Sequence, residues 1–527
     1  MSQIDVIKEV VQYEQLLREN SSNHVLKGEY LIRDSQYPDM KEVLGVDAKA
    51  DITNKEVLGD KLMIEGNLSY IVFYLPKDDT LLDESVNKIQ SVIFTDKFAN
   101  YLDLNNDEHS VWSDVGCEIE HIEANWMNER KVGIDGVMTL RWQVYKNGEF
   151  EYVKEIEGKD DVQVLKTEGS LTSLKGQKEI DLIGKTILKV TMDKPEIEEI
   201  LKCSINIHKK EVKVVEDKLY VGFYCNVKIL YKAKDTKELF TLEDDVYLSK
   251  EEELPGVNQD MMATLNLKVK DCDCDVNNDD LGECRLVNVE FLINGKVRVY
   301  SKEVIEMLKD TYSNSMNLEL VKETKTFGDI LGIINTNVMV KDNIRLSDEE
   351  ERVDRIIICY GNPMILEKTI EGERIKIEGA IKLSIIYKIS GDELNYGIMH
   401  EEIPFSTEVD MKGYKNDCKS VVKCSLESLD TMIEGNNISV RANIAIEIKA
   451  AYNRTIECVV DLLEGEAKDG EKKASITIYV IGENDTLWNL AKKYNTTMEE
   501  LRRLNNLEEN YQMKTGDKLI ILGRAVF

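Results

Sequence analysis

The sequence predicts a multi-domain, mostly β protein: three β-sandwich-like repeats, then a small βααβ module, with an N-terminal helix in front. Three observations carry this. One apolar pattern with two fixed spacings occurs three times. The stretches around it are rich in β-branched and aromatic residues and alternate with period two. The last fifty or so residues change to a helical period between two short strands. A chain of 527 residues, at about 150 residues per domain, has room for three or four domains.

The N-terminal segment, residues 1–30, places Ile4, Ile7, Val11 and then Val10, Tyr13, Leu17 at helical spacing, which predicts an amphipathic helix ending near Asn20-Ser21-Ser22. Asp5, Lys8, Glu9, Glu14, Arg18 and Glu19 interrupt it, so it lacks the basic start and continuous apolar stretch of a signal peptide. No run of about 18 apolar residues suggests a membrane-spanning helix, and the chain is expected to stay in the cytoplasm.

The repeat comes next. Asp60-Lys61-Leu62-Met63-Ile64 precedes Tyr74, Asp217-Lys218-Leu219-Tyr220-Val221 precedes Tyr231, and Glu373-Arg374-Ile375-Lys376-Ile377 precedes Tyr387. The interval from Leu62, Leu219 or Ile375 to the tyrosine is twelve positions in each copy. Upstream, Pro38 to Leu44 matches Pro195 to Leu201, with a looser third copy from Glu351 to Ile357, and the interval from its last residue to the tyrosine is thirty each time. Gly59 and Gly372 precede the acid-base pair, where a tight hairpin needs positive φ. Ile438, Val440, Ala442, Ile444, Ile446 and Ile448 show the period of a half-buried strand. The repeats are placed at 31–158, 176–305 and 333–463, each the usual size of one β-sandwich. Polar connectors are expected at 155–176 and at 301–332, the second with room for a short helix. Residues 464–474 read as a charged, glycine-containing linker that lets the C-terminal module move freely.

The module spans 475–523. It opens with Ile476, Ile478 and Val480, enters a helix at Asn484-Asp485-Thr486-Leu487, and puts Leu487, Leu490, Ala491 and Tyr494 on one face. Thr497 and Glu500 form a capping-box pattern for a second helix carrying Leu501 and Leu504. Thr515-Gly516-Asp517 turns into a final strand, Lys518 to Leu522.

Composition narrows the function. A net charge of −31 repels phosphate backbones and anionic lipid surfaces, which argues against nucleic acid and electrostatic membrane binding. Over residues 475–527 seven Lys plus Arg balance seven Asp plus Glu, so the excess acid lies elsewhere and the C-terminal module is the least acidic surface. The ten cysteines follow no framework spacing, and Cys203, Cys225, Cys359, Cys424 and Cys458 sit in apolar strands, as packed free thiols do. Gly184-Lys185-Thr186 lacks the first glycine of a phosphate loop, since position 179 is Glu179. Asp271-Cys272-Asp273-Cys274-Asp275, with Cys284, departs from both EF-hand and zinc patterns and reads as an exposed acidic hairpin loop. The five histidines, His24, His109, His121, His208 and His400, form no catalytic or zinc motif. No metal, cofactor or enzymatic activity is expected.

Tyr479, Asp485-Thr486-Leu487, Ala491, Tyr494, Leu501, Asn505, Leu507, Gly516 and Leu519 make the module strongly resemble the LysM family. Asn484 stands where the family usually has glycine, and Leu522 where a closing proline is common. The resemblance implies binding of N-acetylglucosamine polymers, as in peptidoglycan, in a groove of Asn484, Asp485, Thr486, Leu487, Asn506, Leu507, Tyr511 and Met513. A protein partner would use a broader patch including Trp488. Against this, Asp485 and Thr486 can simply cap a helix, with Leu487 in its core.

Three β-rich repeats followed by one such module resemble the SPOCS-domain proteins of spore formers. That resemblance implies a non-enzymatic adaptor of spore-coat assembly in the mother-cell cytoplasm, at the forespore surface. Its implied partners are the coat-basement ATPase SpoIVA, reached through the LysM module, and other coat proteins. Repeated domains would add avidity on a polymerised surface. The alternative is an anchor that holds peptidoglycan through the same module.

Overall fold

Each repeat closes on itself by pairing its first strand with its last. The computed structural model describes residues 4–34, 37–77, 89–104, 111–158, 161–346, 353–391, 396–415, 417–468, 476–508 and 511–522. The first unit comprises β1 (Asp5–Leu31), β2 (Met40–Leu58), β3 (Lys61–Pro76), β4 (Gln90–Asp103), β5 (Val111–Asn128) and β6 (Lys131–Glu157). They form two antiparallel sheets, ordered β1-β6-β5 and β2-β3-β4. The second unit runs β7 (Val162–Lys189), β8 (Ile197–Val215), β9 (Lys218–Ala233), β10 (Leu239–Glu253), β11 (Met262–Asn278) and β12 (Cys284–Ser313). The third runs β13 (Met316–Arg345), β14 (Val353–Glu371), β15 (Arg374–Ile389), β16 (Tyr396–Asp410), β17 (Lys419–Glu434) and β18 (Asn437–Ala467). Both repeat the two-sheet arrangement. The inward faces of the paired sheets supply one apolar core per unit.

The fixed spacings of the sequence are hairpin registers. Tyr74 lies opposite Val43, Tyr231 opposite Ile200, and Tyr387 opposite Ile356. Gly59 and Gly372 turn these hairpins at φ +62° and +64°, and Asp217 does so in the second unit at φ 56°. Tyr74 is fully buried, and its hydroxyl donates to the Pro38 carbonyl at 3.2 Å, joining the two halves of the motif.

The N-terminal helix is not formed. Residues 5–31 are β1, in continuous register with β6. Ile7 and Val10, assigned to the apolar helical face, are 39% and 52% exposed, whereas Val11, Tyr13 and Leu16 are buried. A short run rich in Ile and Val is ambiguous in period, and the partner strand, over a hundred residues away, decides its conformation. The expected connectors are likewise strand: 162–176 belongs to β7, and 301–332 is split between β12 and β13 with no helix.

The six long strands extend past their sandwiches as three two-stranded ribbons, which pack together into a stem. Tyr13, Leu171 and Phe327, each four positions before a bulge of β1, β7 or β13, meet in one cluster with Phe150, Ile305 and Ile456 from the partner strands. At the opposite end, Phe73, Leu230 and Ile386, each eleven residues after Leu62, Leu219 and Ile375, meet in another. Equivalent residues of the three units thus touch at both ends of a common axis, giving the body pseudo-threefold symmetry. Between these clusters the axis is polar. Asp114 of the first unit accepts from Asn266 of the second at 3.2 Å and from Lys423 of the third at 2.7 Å.

The C-terminal module is β19 (Ile476–Val480), α1 (Leu487–Lys493), α2 (Met498–Asn505) and β20 (Lys518–Leu522). This is the expected βααβ order. Thr486 and Thr497 cap the helices, accepting from Asn489 and Glu500 backbone N–H groups at 3.1 Å. Glu500 accepts from the Thr496 hydroxyl at 2.5 Å. The module is not free. β18 continues through Ala467, Lys468 bonds both Ser313 and Asn495, and the module's apolar core includes Tyr312 of β12. Linker residues 469–474 lie outside the described residues.

Candidate docking site in the C-terminal module

Helix α1 fixes the module to the foot of the stem. Trp488 Nε1 donates to Asp310 Oδ2 at 2.7 Å, and Lys492 Nζ to Asp310 Oδ1 at 2.6 Å. The Trp488 ring meets the Tyr312 ring edge-on at 5.0 Å, and the Tyr312 hydroxyl donates to the Thr496 carbonyl at 2.8 Å. Asn495 Nδ2 reaches the Asn314 carbonyl at 2.8 Å. Trp488 is therefore buried within the chain, not part of an open partner patch. Its aromatic character was visible in the sequence; Asp310 and Tyr312 carried no signal that they would receive it.

The other predicted groove residues divide by role. Asp485 accepts the Gly482 N–H at 2.7 Å, which tightens the loop after β19, and its carboxylate raises the pKa of the Tyr479 hydroxyl that donates to it. Thr486 is the helix cap and Leu487 is core. Asn506 ends α2 at φ 52°, the left-handed conformation that asparagine tolerates. Tyr511 donates to Asp517 at 2.7 Å, which raises its own pKa. Leu507 and Met513 pack on the same apolar cluster as Leu487. Asn484, Thr486 and Asn506 remain exposed. Asn505 locks this end of the module: its side chain donates to the Ile520 carbonyl at 2.8 Å and accepts the Ile520 N–H at 2.7 Å.

Sequence reasoning placed the strands but missed what their outer face presents. Tyr479, Leu519 and Ile521 turn inward. Ile476, Ile478 and Val480 of β19 are 71%, 66% and 55% exposed, and Ile520 and Leu522 of β20 are 40% and 48% exposed. Ile476 pairs with Leu522 and Ile478 with Ile520, so the five form one continuous apolar face. The alternation in the sequence was the available signal.

Comparison with known families fits this geometry. The family described as SipL, SPOCS domain matches residues 39–127, 196–277 and 352–434, and the LysM domain matches 479–522. The order of matches is that of the SipL architecture, SPOCS domains followed by LysM. Each SPOCS match spans the four middle strands of one sandwich, β2–β5, β8–β11 or β14–β17. The long first and last strands lie outside the matches. SPOCS and LysM are non-catalytic domain families, and together they fit a coat or adaptor protein. A search of curated proteins found no match. Among the described residues, no helix is long and apolar enough to cross a membrane.

The polar chamber on the axis has bays of about 830 and 990 Å³. Burial would raise the pKa of Asp114, but Lys423, Lys268 and Lys55 outweigh it and hold the carboxyl well below its ordinary range. The cations Lys55, Lys268, Lys296, Arg298 and Lys423 in one bay are matched by Glu56, Asp114, Glu179, Asp181 and Glu447. The two signs balance where the three units meet. Residues 271–275 lie in β11 and not in a hairpin loop, and Cys284 bonds Asn278 at 3.3 Å, apart from Cys272 and Cys274.

Proposed function

We propose that the chain is a non-enzymatic adaptor of spore-coat assembly that binds the coat-basement ATPase SpoIVA through its LysM module and recruits other coat proteins, in the mother-cell cytoplasm at the forespore surface. The observation carrying this reading is the apolar face of Ile476, Ile478, Val480, Ile520 and Leu522. An exposed apolar sheet face on a module that is otherwise charge-balanced suits a protein partner better than a sugar. Because α1 is already engaged with Asp310 and Tyr312, the partner would meet a module held in fixed orientation.

A second reading rests on a separate observation: Asn484, Thr486 and Asn506 stay exposed, at the positions where a LysM module would hold N-acetylglucosamine units of peptidoglycan. One experiment separates the two. The full chain, the double variant Ile478→Glu/Ile520→Glu, and Asn506→Gly, which keeps the left-handed turn, are assayed against purified SpoIVA and against intact spore peptidoglycan. Loss of ATPase binding in the double variant alone supports docking through the sheet. Unchanged ATPase binding there overturns it. Peptidoglycan retention lost in Asn506→Gly selects the anchor reading.

A further inference from the structure

Cys203, Cys272 and Cys274 converge at one corner of the second sandwich. Cys203 lies on β8, the edge of the β10-β9-β8 sheet, while Cys272 and Cys274 lie on β11, the edge of the β11-β12-β7 sheet. A bulge at Lys270 resets β11, and the i, i+2 spacing then points both thiols toward β8. Cys203 Sγ is 3.6 Å from Cys272 Sγ, which is 3.9 Å from Cys274 Sγ, and all three sulfurs lie within 4.8 Å of one another.

The sister units supply an internal control. By register, Cys203 corresponds to Val46 and Cys359. Cys272 and Cys274, two and four residues past the bulge, correspond to Ile122 and Ala124 in the first unit and to Leu429 and Thr431 in the third. Only the second unit has sulfur at all three positions. Packing alone is met by Val, Ile and Ala in the first unit, so packing does not require three thiols.

We propose that Cys203, Cys272 and Cys274 form a three-thiolate site for a thiophilic d10 cation, Zn2+ or Cu+, that joins the two sheets of the second sandwich. An ion bound at about 2.3 Å to each of three sulfurs sets them about 4 Å apart, which the observed spacings approach without backbone movement. Sulfur ligands select these soft ions over Mg2+ or Ca2+. Among the described residues no fourth histidine, cysteine or carboxylate joins the cluster. Cu+ would therefore be three-coordinate, and Zn2+ would take water as its fourth ligand. Metal ligands are bound as thiolates, so binding would release the thiol protons.

The test uses the reduced full-length chain, loaded anaerobically with Zn2+ alone or Cu+ alone and desalted, with bound metal measured per chain. One equivalent is expected. Cys203→Ser and Cys272→Ser should lose it, and Cys284→Ser should keep it. Co2+ loading should give thiolate charge-transfer absorption that disappears in the same variants, with circular dichroism confirming that they fold. Retention by only one of the two metals names the ion. Metal retained equally by the Cys203→Ser/Cys272→Ser/Cys274→Ser chain, no metal retained, or a Cys203–Cys272 disulfide in its place would overturn the proposal.

Discussion

Lys449 and Glu14, 435 positions apart in the chain, meet at 2.5 Å where the first and third units join, and Tyr300 of the second unit bonds both, at 2.9 and 2.8 Å. One residue from each repeat thus forms a single buried hydrogen-bonded group. Arg298 adds a further cation 3.6 Å from the same carboxylate. Burial lowers the pKa of Lys449, and Glu14 opposes that shift.

Removing Glu14 should leave a buried ammonium without its counter-ion. Glu14→Ala is expected to cost about 3–5 kcal/mol, measured by denaturant unfolding, whereas Glu14→Leu with Lys449→Met should cost much less. The pH dependence has a definite sign. Without Glu14 the folded-state pKa of Lys449 falls further below its unfolded value, so the unfolded chain binds more protons between the two. Stability of Glu14→Ala should therefore recover as pH rises above 7, and a deficit that grows with pH would contradict this.

Asp310 accepts from both Trp488 and Lys492. Asp310→Ala leaves a buried indole N–H unpaired, a loss of about 1–3 kcal/mol at the module's seat. Small-angle scattering should show a larger radius of gyration in the variant, while the circular dichroism of the three sandwiches is unchanged. An unaltered scattering profile would show that Tyr312 and Asn314 suffice.

Asn505 clamps α2 to β20 through both of its amide atoms. Asn505→Ala is expected to speed hydrogen exchange at the amides of Ile520 and Ile521, with a local loss of about 2 kcal/mol from two lost bonds. Exchange in the sandwich cores should not change. Uniform acceleration throughout the chain would instead mean that the module and the body unfold together.

Phe73 packs against Leu230 and Ile386, so its cavity would open between units and not within one. Phe73→Ala should cost about 3–5 kcal/mol and lower the melting of all three units together in calorimetry. A split transition with only the first unit displaced would show that the axis contacts are weak.

The middle of each sandwich was legible because its signals are local. The tyrosine spacing is a hairpin register, and the glycines before the acid-base pairs are its left-handed turns. Apart from the alternation from Ile438 to Ile448 in β18, the long outer strands were not legible, for the opposite reason. Val11 and Tyr13 are strand residues only because β6 lies beside them, more than a hundred positions on. At the candidate site, the caps Thr486 and Thr497 and the left-handed Asn506 could be read from residue type. The burial of Trp488 could not, because it depends on Asp310 and Tyr312, which belong to another unit.

The pseudo-threefold axis has a consequence for how such a molecule could stand in a layer. Three like sides arranged about one line look in three directions, so a flat sheet alongside meets one of them at a time, while a sheet laid across the line faces all three. The single LysM module sits only at the foot, against the second ribbon, and breaks the symmetry there. The molecule has a top and a bottom. Copies held by the foot would all point the same way, and a coat built on them would inherit an inside and an outside from the shape of one chain.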